Sequence, residues 1–107
     1  MTSFDQREEA YERLHALGEE RRFKTLARRT KLMGLWAADK LALSGAGATD
    51  YANRLVEKHF SETDPERLAE DLQATLSSVS PQISAHRIRR KIEEMTARAT
   101  EEVAEGR

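Results

Sequence analysis

Apolar residues recur at helical spacing along most of the chain, and no alternation of apolar and polar positions persists as it would in a strand. In the longest such segment, roughly residues 19 to 44, steps of three and four separate Phe23, Leu26, Thr30, Met33 and Ala37. Residues at these steps lie on one face of an α-helix. The pattern therefore predicts an all-α protein.

Turn signals divide the chain into helices. Gly18 follows a first apolar series, and because glycine in a helix interior costs about 1 kcal/mol, we predict a hinge there. SGAGAT at residues 44 to 49 predicts a helix end, with Gly45 and Gly47 in left-handed conformations and Thr49 capping the next helix, roughly Asp50 to Phe60. Asp64-Pro65 and Ser80-Pro81 predict the starts of two further helices, since Asp and Ser cap helices and Pro suits the first helical position.

Each predicted helix has one apolar face. The expected buried positions, in chain order, are Phe4, Tyr11, Leu14 and Leu17, then the stripe led by Phe23, then Tyr51, Leu55, Val56 and His59, then Leu68, Leu72, Leu76 and Val79, and finally Ala85, Ile88, Ile92, Met95 and Ala99. These faces predict a four-helix bundle with a short additional or split helix near residue 62. We expect two units, an N-terminal helical arm (residues 1–18) and a bundle (residues 19–107).

Composition excludes several classes of protein. The 107 residues suffice for one domain, and the 35% of charged residues and mean hydropathy of −0.74 indicate a largely charged surface. The chain has no cysteine, hence no disulfide framework. No apolar run approaches the roughly 20 residues of a membrane-spanning helix, and the N-terminus lacks an apolar signal core. We therefore expect a cytoplasmic protein without direct membrane insertion.

Charge is segregated along the chain. Residues 1 to 20 carry two basic and six acidic side chains, whereas residues 21 to 40 carry seven basic and one acidic. The basic block also contains the single tryptophan, Trp36. Such segregation favours docking of one block against another, within the chain or in a partner. One hypothesis is that the acidic arm rests reversibly on the basic helix.

Catalytic motifs are absent from the sequence. His15, His59 and His86 are far apart and form no metal-binding pattern, so each is interpreted as an ordinary surface or half-buried residue. SGAGAT has the glycines of a phosphate loop but lacks its lysine and its preceding strand. We expect neither a bound metal nor enzymatic activity.

Two kinds of ligand fit the basic block. Arg22, Arg29 and Trp36 recur every seven residues, and the last two are about 10.5 Å apart along a helix, so they could bracket a nucleotide. Alternatively, Trp36 is a core residue and the arginines pair with acidic neighbours. Nucleic-acid binding is a weaker alternative, because the pI of about 6.3 is far below the value of about 9 that is typical of dedicated binders.

Two stretches carry a resemblance to a known family. FDQREEAYE at residues 4 to 12, together with RFKTLARRTKLMGLWAA at 22 to 38, resembles the zeta subunit family, the ATPase inhibitors of alphaproteobacterial ATP synthases. The similarity extends over almost the whole chain. The sequence departs from the usual family pattern at Leu14-His15, at Leu17-Gly18 and at Thr30.

The resemblance implies a small helical bundle whose N-terminal segment inserts at an interface between alpha and beta subunits of the catalytic head, near gamma, and stops ATP hydrolysis. The segment's implied contact residues are Phe4, Asp5, Arg7, Glu8, Tyr11 and Glu12. The resemblance also implies ADP or ATP as a regulatory ligand, which supports the Arg22–Arg29–Trp36 hypothesis. The protein would then be peripheral to the inner membrane through the ATP synthase. A non-inhibitory adaptor of the same complex is the alternative.

Overall fold

The structure is a computed structural model that describes residues 9, 12–60 and 62–107. Four long helices follow one another: α1 (Glu19–Lys40), α2 (Gly45–Lys58), α3 (Pro65–Leu76) and α4 (Ala85–Ala104). Residues 12–16 are also helical and precede α1. Because the described residues contain no strand, the predicted all-α fold is confirmed. None of the described helices is both long and apolar enough to span a membrane.

Helix α1 is the centre of the bundle. It packs against α2 on one side and α4 on the other, and it also contacts α3, which packs mainly on α4. The core is formed by aliphatic and methionine side chains from all four helices and from the α3–α4 connection: Met33, Ala37, Leu55, Leu68, Ala69, Leu72, Leu76, Ile83, Ile88, Ile92 and Met95. Most of the predicted apolar positions are therefore confirmed.

Two predicted core residues are exposed. Phe23 is 41% exposed and lies edge-on against Phe60, with ring centroids 4.6 Å apart. Val79 is 52% exposed because α3 ends at Leu76, so the helical spacing that would bury Val79 no longer applies. The prediction of a buried face was wrong at these two positions, which lie at the edge or beyond the end of a stripe.

Helix α1 ends at Lys40, earlier than predicted. Ala42 has a left-handed backbone with φ 61°, and the amide of Leu43 donates to the carbonyl of Ala38 at 2.9 Å. This bond closes a helix end of the kind that usually places glycine in the left-handed position. The prediction that Gly45 and Gly47 terminate this helix was wrong, since Ala42 reverses the chain before them.

Helix α2 accordingly begins at Gly45, five residues before the predicted Asp50. Gly45 itself is left-handed, with φ 55°, but Gly47 and Thr49 lie inside the helix. Alanine and threonine are compatible with a helix. Because the chain reverses direction at Ala42, the small residues that follow form the first turn of α2. Ser44, not Thr49, is the N-cap residue.

The two proline signals have different outcomes. At α3 the prediction is confirmed, because the Asp64 carboxylate accepts a hydrogen bond from the Glu66 amide at 3.0 Å and Pro65 is the first helical residue. At α4 the predicted start was wrong by four residues. Ser80-Pro81 forms a turn, and the hydroxyl of Ser84 accepts from the Arg87 amide at 3.1 Å and caps the helix.

Helices α1 and α2 approach closely at Gly34. A Cβ atom at this position would lie 2.6 Å from the Cα atom of Ala52 and 2.9 Å from its Cβ atom. Both residues are buried. The absence of a side chain at Gly34 therefore allows the two backbones to pack directly against each other.

Candidate functional site

The described end of the N-terminal segment packs against the bundle through Leu14. Leu14 is 4% exposed, whereas its neighbours Arg13 and His15 are exposed. It contributes to the wall of a cavity of about 250 Å³, which is lined by Leu14, Arg29, Thr63, Asp64, Pro65, Glu66, Arg89, Ile92, Glu93 and Thr96. This volume is slightly smaller than the roughly 300–1,000 Å³ of most small-molecule sites. Leu14 therefore anchors the segment beside a small cavity.

The chain turns between Leu14 and α1. The amide of Leu17 donates to the carbonyl of Leu14 at 3.3 Å, and the guanidinium of Arg22 donates to the carbonyl of Leu17 at 3.3 Å. Gly18 has an extended backbone that any residue can adopt, and a Cβ atom there would meet nothing within 4 Å. The turn is therefore held by hydrogen bonds, not by a glycine-specific conformation. The division into residues 1–18 and 19–107 stays a prediction.

Arg29 of α1 is only 2% exposed. Its guanidinium lines the same cavity as Leu14 and donates to the carbonyl of Glu62 at 3.5 Å. Moving a charged group out of water is costly unless polar partners surround it. Arg29 is therefore a buried cation, and an anion from solvent would have to enter the cavity to reach it.

Trp36 shares a helix face with Arg22 and Arg29, but its side chain lies in surroundings different from those of the two arginines. Its indole is partly buried against the core cluster, and the Nζ atom of Lys40 lies 5.8 Å from the ring centroid. Trp36 does not line the cavity that contains Arg29. The structure thus places Arg22 and Arg29 next to the N-terminal segment and Trp36 next to the core. It does not bring the three side chains around one cavity.

Of the predicted inhibitory residues, only one has a described position. Phe4, Asp5, Arg7, Glu8 and Tyr11 lie outside the described residues. Glu12 is helical and exposed, as is Glu9. Among the described residues, no ion pair joins Glu9 or Glu12 to α1, so the docking of the acidic arm on the basic helix stays a prediction.

Comparison with known proteins decides the family. The model of the family described as ATPase inhibitor subunit zeta matches residues 1–102, which span the N-terminal segment and nearly all of the bundle. The chain belongs to this family. The resemblance expected from the sequence is therefore confirmed. No curated protein and no solved structure matches the chain.

This zeta-family protein contains a buried histidine network that no pattern in the sequence predicted. The side chain of His59 is 5% exposed, with Nδ1 2.6 Å from the Glu62 carboxylate and Nε2 2.7 Å from the Asp71 carboxylate. The Nζ atom of Lys58 lies 3.1 Å from Asp71. Burial opposes ionisation of Asp71, but hydrogen bonds to His59 and Lys58 outweigh it and lower the pKa of this carboxyl. Burial, followed by the charge of Asp71, raises the pKa of the Tyr51 phenol.

The network joins the end of α2, the α2–α3 connection and α3. The expected burial of His59 is confirmed, but its interpretation as an ordinary surface or half-buried residue was wrong. No spacing rule identifies partners three and twelve residues away when a turn separates them. Within the described part of the chain, no group of His, Asp or Glu side chains is arranged to hold a metal ion.

A second ion-pair cluster connects α1 to α4. The Glu102 carboxylate, largely buried, lies 3.0 Å from Arg98 Nε and 3.2 Å from Arg28 Nη1. The hydrogen bond from Arg98 is the main cause of the lowered pKa of Glu102. The four-residue step from Arg98 to Glu102 is a signal that sequence reasoning could have used. The contact with Arg28, 74 residues away, has no such signal.

Proposed function

We propose that this protein is a regulatory subunit of the ATP synthase that inhibits ATP hydrolysis by the catalytic head. The observation that carries this proposal is the family match, which covers the N-terminal segment and the bundle together. The proposed partners are the alpha, beta and gamma subunits. In this role the protein performs no catalysis of its own and is held at the cytoplasmic side of the inner membrane by the enzyme.

In the proposed mechanism the N-terminal segment inserts at an alpha/beta catalytic interface near gamma. Phe4 would fill an apolar pocket, and Asp5, Arg7, Glu8, Tyr11 and Glu12 would make the surrounding contacts. The exposure of Glu12 and the burial of Leu14 support this division, since the chain changes from solvent-facing to bundle-anchored between them. Large apolar anchors often cost about 2 kcal/mol or more when truncated at an interface.

ADP or ATP is proposed as a regulatory ligand, with its phosphates on Arg22 and Arg29. Because Arg29 is buried, the phosphates would have to enter the cavity to reach it. Because Leu14 and Arg29 line one cavity, a phosphate group that reaches Arg29 competes with Leu14 for space. Nucleotide binding would then favour release of the segment, through its preference for the open conformation. The partly buried Trp36 would have a structural role.

The test is ATP hydrolysis by the catalytic head depleted of this subunit, with and without added protein. The wild type should lower hydrolysis, and deletion of residues 1 to 18 should abolish that effect while the bundle stays folded by circular dichroism. Phe4→Ala should weaken inhibition roughly 30-fold, since each tenfold change corresponds to about 1.4 kcal/mol. An unfolded deletion variant, or one that still inhibits, would contradict the proposed division.

The same assay addresses the alternatives. Binding of the wild type to the catalytic head without any fall in hydrolysis would identify a non-inhibitory adaptor. Retention on duplex DNA that weakens steeply with salt would instead indicate nucleic-acid binding.

A further inference from the structure

Helix α1 carries a row of basic side chains on a face distinct from the one on which Arg29 shares a cavity with Leu14. Arg21, Lys24, Arg28 and Lys31 follow one another at steps of three, four and three residues. Side chains at these steps share one side of a helix, and this stripe extends about 15 Å along the axis at 1.5 Å per residue. Arg21, Lys24 and Lys31 are exposed, and Arg28 is half-buried.

These four cations form one wall of an open groove of about 530 Å³. Val56 of α2 and Val103 of α4 supply apolar surface, and Arg107 adds a fifth cation from beyond α4. The groove therefore combines a row of positive charges with an apolar floor. A single phosphate group would contact a small part of it, whereas a peptide segment matches its length.

The positive charge of the groove is only partly neutralised within the chain. Lys24 lies 3.5 Å from Glu20, Arg28 pairs with Glu102, and Arg107 pairs with Glu105. Arg21 and Lys31 make no ion pair with any described residue. Because the side chains of Arg21 and Lys31 are exposed, the part of the chain that the structure describes leaves excess positive charge at this groove.

We infer that this groove docks an acidic, partly apolar peptide segment of the ATP synthase catalytic head. The segment would lie along α1 with carboxylates facing the arginine and lysine row and apolar side chains against Val56 and Val103. This inference rests on the proposed function. It separates two tasks: the N-terminal segment blocks hydrolysis, and the groove holds the bundle on the enzyme.

Charge complementarity of this kind increases the association rate and makes binding sensitive to salt. The informative variant is R21E/K31E, because both side chains are exposed and lack ion pairs among the described residues, so the fold should be unaffected. The matched control is R54E/R87E, which makes the same change in net charge at two exposed arginines outside the groove lining.

Inhibition of the depleted catalytic head is titrated with wild type, R21E/K31E and the control at low and high salt. The groove variant should need at least tenfold more protein for half-inhibition, show a weaker salt dependence, and still reach full inhibition because its N-terminal segment is intact. The control should stay within about twofold of wild type.

Equal titration curves for the two double variants would overturn the groove proposal. If the groove variant loses ADP binding but keeps its affinity for the enzyme, the groove instead binds phosphate-bearing ligands and the proposal is likewise overturned. Failure of the wild type itself to inhibit is a different result, since it contradicts the proposed function before the variants are compared.

Discussion

At the scale of single residues, buried polar groups in this protein differ in how well they are satisfied. The hydroxyls of Thr30 and Thr100 donate to the carbonyls four residues earlier, at 3.0 and 2.8 Å. The hydroxyl of Thr25 is fully buried and has no hydrogen-bond partner in the part of the chain that the structure describes. A buried hydroxyl without a partner costs about 1–3 kcal/mol. The buried hydroxyl of Thr25 therefore lowers the stability of the folded protein.

Thr25→Val should stabilise the protein, because valine has the same branched shape without the hydroxyl. We expect the free energy of unfolding to rise by about 1 kcal/mol in urea denaturation. Thr30→Val is the matched control, since it removes a hydroxyl that does donate a hydrogen bond and should lower stability by about 0.5–1.5 kcal/mol. Equal effects of the two substitutions would show that hydrogen bonding does not distinguish these positions.

The carboxylates of Asp71 and Glu102 should make the protein sensitive to acid. Both have lowered pKa values in the folded state, so their stabilisation is complete above the unfolded pKa and is lost as the pH falls through the folded pKa. The free energy of unfolding should therefore fall below about pH 4. Glu102→Gln should flatten this acid limb in urea melts across pH, whereas Glu57→Gln, at an exposed position, should leave it unchanged.

At the scale of helices, packing at one glycine sets the distance between α1 and α2. Gly34→Ala would place a methyl group within 3 Å of the backbone of Ala52, which a small side-chain movement cannot relieve. Overpacking of this kind typically costs about 1–3 kcal/mol, more than the roughly 1 kcal/mol that alanine adds in helix propensity. The Gly34→Ala variant should therefore melt at a lower temperature than wild type.

Gly47→Ala provides the matched control for this prediction. Gly47 also lies inside a helix, but a Cβ atom there would make an ordinary 3.9 Å contact with Leu43. Its substitution should stabilise the protein by about 0.4–1 kcal/mol by restricting the unfolded chain. If both glycine variants melt at higher temperatures than wild type, helix packing at Gly34 is looser than the structure indicates.

Local sequence signals predicted which segments are helical more accurately than they predicted where each helix begins and ends. Asp64-Pro65 specified the start of α3 because the cap and the proline act on adjacent residues. Ser80-Pro81 offered the same pair, but a second cap, Ser84, formed the helix start, and Ile83 turned into the core instead. The heptad spacing correctly grouped Arg22, Arg29 and Trp36 on one face, yet their different surroundings depend on Leu14 and on α4. Such contacts between distant segments are not encoded in any local pattern.

At the scale of the whole molecule, Leu14 of the N-terminal segment lines the same cavity as Arg29, the proposed phosphate-binding residue. If nucleotide and Leu14 compete for the cavity at Arg29, removal of residues 1 to 18 should increase the affinity for ADP. Isothermal titration of the wild type and the deletion variant measures this directly. An Arg29→Ala substitution within the deletion variant should abolish the gain, since it removes the cation without involving Leu14. Equal affinities for wild type and deletion variant would show that ADP binds elsewhere or not at all.

In the proposed mechanism, the position of Leu14 also determines how far the inserting residue Phe4 can reach. Phe4 lies ten residues before Leu14 and fourteen before Gly18. As a helix, these lengths correspond to about 15 and 21 Å, and fully extended they approach about 35 and 50 Å. In the proposed mechanism, a Leu14 side chain that stays in the cavity wall would shorten the tether between Phe4 and the bundle and raise the effective concentration of Phe4 at any pocket within reach. Release of Leu14 would lengthen this tether and lower that concentration, so one leucine would set both the reach of the proposed inhibitory residue and its local concentration.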